Sequence, residues 1–206
     1  MTVDVFLRSY KGDLQWVPWA LKSLQKFVTG IRDIIVCVPA TDYDQFKALN
    51  LTRETLVSSQ LEPFANDYLG QQAEKLNADL YTDATHILYW DSDCIAIRPF
   101  SPQDLMIEGK PRCLETPFDK LVKPDGTPDT PWKPVVERAL GHPVTKERMR
   151  SHPMMSNREA LAGLRGYIQK VHSVPLPDYI AAQQSFSEFN VLHSWAAHHK
   201  PDLYYW

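Results

Sequence analysis

The chain has 206 residues, a net charge of −3, 44% hydrophobic and 23% charged residues, enough for one sizeable core and without the basic excess of a general nucleic-acid binder. No apolar run is long enough to span a bilayer, and the start, "MTVDVFLRSYKGD", has neither a basic leader nor a long apolar stretch. Cys37, Cys94 and Cys113 are odd in number and form no CxxC pair, which argues against a disulfide or zinc scaffold and for a cytoplasmic protein with reduced thiols.

Residues 3–10, "VDVFLRSY", read as a first strand. Residues 13–27 follow with Leu14, Val17, Leu21 and Leu24 at helical spacing, Asp13 as N-cap and Pro18 tolerated in the first turn. Residues 33–39, nearly all apolar, form a second strand covered on both faces. A short helix over 42–49 has Asp42 as its cap, and 54–59 is a weaker third strand. In the helix over 66–83, Leu69, Ala73, Leu76 and Leu80 share one face, and Gln71, Lys75 and Asp79 share another stripe. "HILYW", residues 86–90, is the fourth strand. Strands alternating with helices predict an α/β fold, a mostly parallel sheet with helices on both faces in a single domain. Beyond Asp93 the pattern changes to shorter strands at 94–100 and 110–117 and a proline-rich loop at 116–132. Helices are predicted over 133–140, 157–171, 178–184 and 187–200.

The fourth strand ends in Asp91-Ser92-Asp93. Two neighbouring carboxylates at the end of a buried strand need a positive partner. On an extended strand, residues two apart point to the same side, so Asp91 and Asp93 can converge at the strand's carboxyl end, where open α/β sheets bind ligands. Hard oxygen donors suit Mn²⁺ or Mg²⁺ shared with a diphosphate. A surface turn would also use Asp and Ser, but the apolar flanks and the two upstream βα units favour the ligand reading.

"LYWDSDCIAIRPF" resembles the DxD segment of GT-A glycosyltransferases, which use nucleotide sugars. "VDVFLRSYKGDLQWVPWALKSLQKF" is similar to their first strand and helix. "GQQAEKLNADLYTDATHILYWDSD" resembles a QQ…KL…DSD pattern of a bacterial and phage subgroup, with weaker matches in "SHPMMSNREAL" and "FSEFNVL". The resemblance implies a GT-A, Rossmann-like fold with a nucleotide-sugar-binding half over 1–100 and an acceptor-side half over 101–206. It implies transfer of a sugar, expected from a UDP-sugar, to an unidentified hydroxyl acceptor, with Mn²⁺ or Mg²⁺ bridging the diphosphate. Carried over, Asp93 is a metal ligand, and Asp91 a second ligand or a contact to ribose or sugar. Arg8, Ser9 and Tyr10 fall where the family seats base and ribose, with Tyr10 stacking on the base or closing the core edge. Asp42 would accept the uracil N–H, or simply cap its helix. Gln72 and Lys75 match the QQ…KL pattern, with Lys75 reaching a phosphate or orienting the Asp pair.

In inverting members an acidic residue at a helix start deprotonates the acceptor, a role for which Glu188 and, more weakly, Asp178 qualify. Ser185-x-x-Glu188 is equally a capping box. Of the late histidines His193, His198 and His199, His198 is the expected metal ligand, and His152 the expected contact to sugar or acceptor. The segment from Lys133 to Arg150 is locally basic. It could hold phosphates, as in phage enzymes that glycosylate hydroxymethylated DNA bases, or be a solvated surface. Two other functions compete: a non-catalytic nucleotide-sugar binder, and a phosphatase of the haloacid dehalogenase type, whose DxD strand normally lies near the N-terminus.

Overall fold

A computed structural model describes residues 1–51, 53–149 and 152–206. The chain begins with β1 (Val3–Arg8), α1 (Val17–Phe27), β2 (Ile34–Val38), α2 (Tyr43–Lys47), β3 (Thr55–Ser58), α3 (Asp67–Leu76) and β4 (His86–Asp91). Short strands follow as β5 (Met106–Ile107), β6 (Lys110–Pro111) and β7 (Thr116–Pro117), then α4 (Lys133–Leu140) and β8 (Lys146–Glu147). The last elements are β9 (Met155–Asn157), α5 (Arg158–His172), α6 (Leu176–Ala181) and α7 (Glu188–His199). One five-stranded sheet runs in the order β3-β2-β1-β4-β9. Its first four strands are parallel, and β9 adds antiparallel to β4. The fold is therefore the mostly parallel α/β type that the alternation predicts.

Strand parity sorts the side chains into two cores. Val3, Val5 and Leu7 of β1 and Leu88 and Trp90 of β4 meet α1 and α2 on one face. Phe6, Ile87 and Tyr89 meet α3 and α4 to α7 on the other. By the same alternation Arg8 and Asp91, partners in the β1–β4 register, belong to the second face.

Several boundaries differ from the sequence reading. α1 starts at Val17, with Pro18 in its first turn as expected, while Asp13 lies in a 3-10 turn and makes no cap. The third helix stops at Leu76, and its cap is Asn66, whose side chain accepts from the Tyr68 N–H at 3.0 Å. Residues 94–100 form no strand; only Phe100 makes an isolated bridge, to Val28. The edge of β4 that such a strand would need is taken by β9, three residues too short to show a period. Among the described residues no helix is long and apolar enough to cross a membrane.

Candidate functional site

The strand β4 ends at Asp91, and Ser92 and Asp93 turn away from the sheet. The same-side argument for the two carboxylates therefore fails, because it needs an extended backbone through Asp93. Ser92 is buried and donates to Asp13 Oδ2 at 2.6 Å, which fixes the turn. Asp93 is exposed, and Asp91 is half-buried, at the mouth of the helix-rich face.

The positive partner that Asp91 requires is Lys75. α3 packs on that face, and its last turn brings Lys75 Nζ 3.0 Å from Asp91 Oδ1 and 3.6 Å from a carboxylate oxygen of Glu188. The Tyr89 hydroxyl donates to the Lys75 carbonyl at 3.0 Å, tying the helix end to the strand. Burial pulls the Lys75 pKa down, but the charges of Glu188 and Asp91 outweigh it and hold the ammonium above the ordinary lysine value. Burial pushes the Glu188 carboxyl up, which Lys75 only partly offsets.

Glu188 is the first residue of α7, following Ser187, and no side-chain cap bond forms. The capping-box expectation fails, since that box places the acidic residue at the third helical position. Glu188 is only 3% exposed, and its Oε2 is buried without a hydrogen-bond partner among the described residues. Both amide atoms of Gln72 and the Ser9 hydroxyl are orphaned in the same way. Gln72 lies one helical turn before Lys75, and Ser9 directly follows β1. Orphaned polar atoms are costly in a finished core and marked here at the carboxyl edge of the sheet.

His152 lies on the other side of Asp91, its Nε2 3.5 Å from Oδ2 and its ring 6.4 Å from that of Trp90. The ligand atoms of Asp91, Cys94 and His152 all lie within 4.8 Å of one another. Cys94 is a member of this group that sequence reasoning missed, although it directly follows the DSD triplet. An Asp oxygen with a His nitrogen fits Mn²⁺ better than Mg²⁺, which favours oxygen ligands alone. Asp93, two residues from Asp91 and in solvent, is outside this group of three.

A cleft of about 320 Å³ opens past the ends of β1 and β2. Arg8, Tyr10, Lys11, Asp42, Phe64 and Glu74 are among its walls. Arg8 makes no ion pair among the described residues; burial lowers its pKa, and the nearby carboxylates of Glu74, Asp67 and Asp42 oppose that, leaving a charged guanidinium facing the cleft. Tyr10 is 39% exposed, so it lines the cleft and does not close the core edge. Asp42 makes no cap bond to α2; its carboxylate accepts the Lys11 N–H at 2.8 Å and the Thr41 hydroxyl at 3.2 Å. Glu74, also unforeseen, accepts from the Ser59 and Tyr81 hydroxyls and anchors the cleft floor.

Other expected residues are placed elsewhere. Asp178 is exposed in the first turn of α6. His198 is at the far end of α7 from Glu188, grouped with His142 and His199. Asp79 leaves the Lys75 stripe to form a bidentate pair with Arg165. In the basic segment, Lys146 and Arg148 both pair with Glu115, Lys133 pairs with Glu137, and Arg148 also stacks over Trp206. Arg150 lies outside the described residues.

No protein-family model matches the chain, and no curated protein is similar to it. Among the solved structures similar to it is residues 1–349 of S. aureus TarS, a glycosyltransferase, at 15% identity and a TM-score of 0.34. That match covers 45% of this chain and 28% of the other, so this chain spans well under a third of that structure's length.

Proposed function

We propose that the chain is a metal-dependent glycosyltransferase that takes a sugar from a nucleoside-diphosphate donor, with UDP as the expected carrier. The observation that carries this reading is the continuity of one edge: a cleft whose arginine makes no ion pair among the described residues, beside a carboxylate, imidazole and thiol group backed by a buried lysine. The cleft would take base and ribose, with Tyr10 stacking and Asp42 accepting a ring N–H. Arg8 would face the diphosphate's negative charge. Asp91 and His152 would hold Mn²⁺, and Asp93, outside that group, is the further ligand that the resemblance implies. When bound, the ion would supply charge neutralisation at the leaving diphosphate.

Lys75 holds Asp91 on its Oδ1 side, which leaves Oδ2 facing His152. Glu188 holds Lys75. In the transfer itself the bond from the anomeric carbon to the diphosphate oxygen breaks, a bond to the acceptor oxygen forms, and the acceptor proton passes to the departing diphosphate or to solvent. Glu188 was the expected base, but its burial behind Lys75 favours a positioning role over contact with an acceptor. Asp178 and His198 remain assigned only by resemblance. A DNA acceptor has little support, because the basic side chains described in 133–149 that could grip phosphates are largely neutralised within the fold.

Calorimetry with UDP tests the reading. Binding should need Mn²⁺, and Asp91→Asn and Asp93→Asn should each weaken it by more than about 10-fold. Full-strength UDP binding in EDTA would remove the metal from the account. Hydrolysis or transfer from a UDP-sugar separates an enzyme from a binder, and a UDP-binding chain that never turns a donor over would be the latter.

A further inference from the structure

α4 ends in Gly141, which caps it in the left-handed conformation at φ 70°. This turn folds the chain back onto the last turn of α7. There the ring of His142 lies 4.8 Å from that of His198, and His198 lies 4.6 Å from His199. Ligand nitrogens of all three fall within 4.8 Å of one another.

His142 is oriented for ligation. Its Nδ1 lies 3.1 Å from the Pro143 carbonyl. A carbonyl can only accept, so Nδ1 carries the proton and Nε2 the lone pair. That Nε2 is buried and has no partner among the described residues. One imidazole nitrogen held by a carbonyl and the other left bare is the arrangement of a metal-binding histidine. The nearby Arg148 is held by Glu115 at 3.1 Å, so its charge is already compensated. A cavity of about 430 Å³, lined by His142, Arg148, Ser194 and His198, adjoins the triad and leaves room for water.

We propose that His142, His198 and His199 form a second metal site, for a divalent transition ion of the zinc class, with a fourth position open to water. Three nitrogens and no carboxylate suit Zn²⁺, Co²⁺ or Ni²⁺ and not Mg²⁺ or Ca²⁺. The site is distinct from the Asp91 group, since His198 is ten residues, about 15 Å of helix, beyond Glu188. A bound ion would clip the end of α4 to the end of α7 and stabilise the folded chain by mass action.

The test uses the chelator-stripped full chain carrying Asp91→Asn and His152→Gln, which disables the other group. Titrated Co²⁺ should bind at one equivalent with the intense visible absorption of a four-coordinate ion, and Zn²⁺ should displace it. Adding His142→Gln, or His198→Gln with His199→Gln, should weaken binding by more than about 10-fold. Zn²⁺ should raise the melting temperature of the parent and not of these variants. Should His142→Gln fold poorly, the exposed pair on α7 carries the test alone. No Co²⁺ binding in the parent, or unchanged binding after both α7 histidines are replaced, overturns the site.

Discussion

Lys75 shows how one side chain can set the character of a site. It lies between Asp91 and Glu188, and only 11% of its side chain is exposed. Removing a partner from such a buried pair costs more than the pair itself contributes, because the remaining charge is stranded. Glu188→Gln keeps the shape and a hydrogen-bond acceptor for Lys75. If Glu188 positions Lys75, the variant should weaken UDP binding and raise KM for the donor, each by less than about 10-fold, and leave kcat close to that of the wild type. Loss of about 100-fold or more in kcat with donor binding intact would make Glu188 the base, since general bases contribute on that scale. Steady-state kinetics on the variant decides between them. The sequence made Asp91 visible through its place at a strand end and Lys75 through its helical stripe, while Gln72 entered only through the QQ…KL resemblance. It could not reveal that the strand stops at Asp91, because that stop depends on Ser92 finding Asp13, 79 positions away.

At the scale of elements, α5 and α7 pack through a glycine. A Cβ built on Gly163 would lie 2.9 Å from Trp195 Cζ2 and nearer still to Cη2, whereas one on Gly166 meets nothing within 4 Å. Both glycines are in α5, three residues apart, so the same substitution should act with opposite signs. Gly166→Ala should stabilise by about 0.5–1 kcal/mol through helix propensity and a less flexible unfolded chain. Gly163→Ala gains the same propensity but must displace the Trp195 ring, and overpacking of that kind costs about 1–3 kcal/mol, so a net loss is expected. Urea unfolding of the two variants reads the difference directly; equal shifts would show that Trp195 moves freely. The long periodic helices and the four parallel strands were legible because their burial is regular. The pieces that close the sheet were not: β9 is three residues long, and 94–100 alternates like a strand without an edge to join.

Across the whole molecule, the helix-rich side of the sheet holds titratable groups that limit stability in acid. His193, 2% exposed, hydrogen-bonds through Nδ1 to the Arg148 carbonyl at 3.0 Å, and burial lowers its pKa from 6.5 to about 4. Between those values the unfolded chain takes up a proton that the folded chain refuses. Its contribution is therefore complete above about pH 6.5 and is lost as pH falls toward 4, by about 3 kcal/mol at most. Glu188 is shifted the other way, which blends two slopes in the wild-type curve. Denaturant unfolding of the wild type and His193→Gln across this range isolates the histidine: the variant should lose less stability on acidification, and parallel curves would refute the assignment. The sequence sets His193 among the late histidines but does not show that it is buried, because that state is set by the tertiary packing of α7.

The three thiols are chemically unequal. Cys37 and Cys113 are buried, and burial raises both, Cys113 to about 12, so neither presents a thiolate to a reagent near neutral pH. Cys94 is half-buried on the turn after the strand, its sulfur within 4.8 Å of the Asp91 and His152 ligand atoms. Burial, then Asp93 and Asp91, raise its pKa too, so it reacts slowly yet remains the thiol a reagent can reach. A fluorophore coupled there without any mutation would sit beside the carboxylate edge and report on whatever enters it.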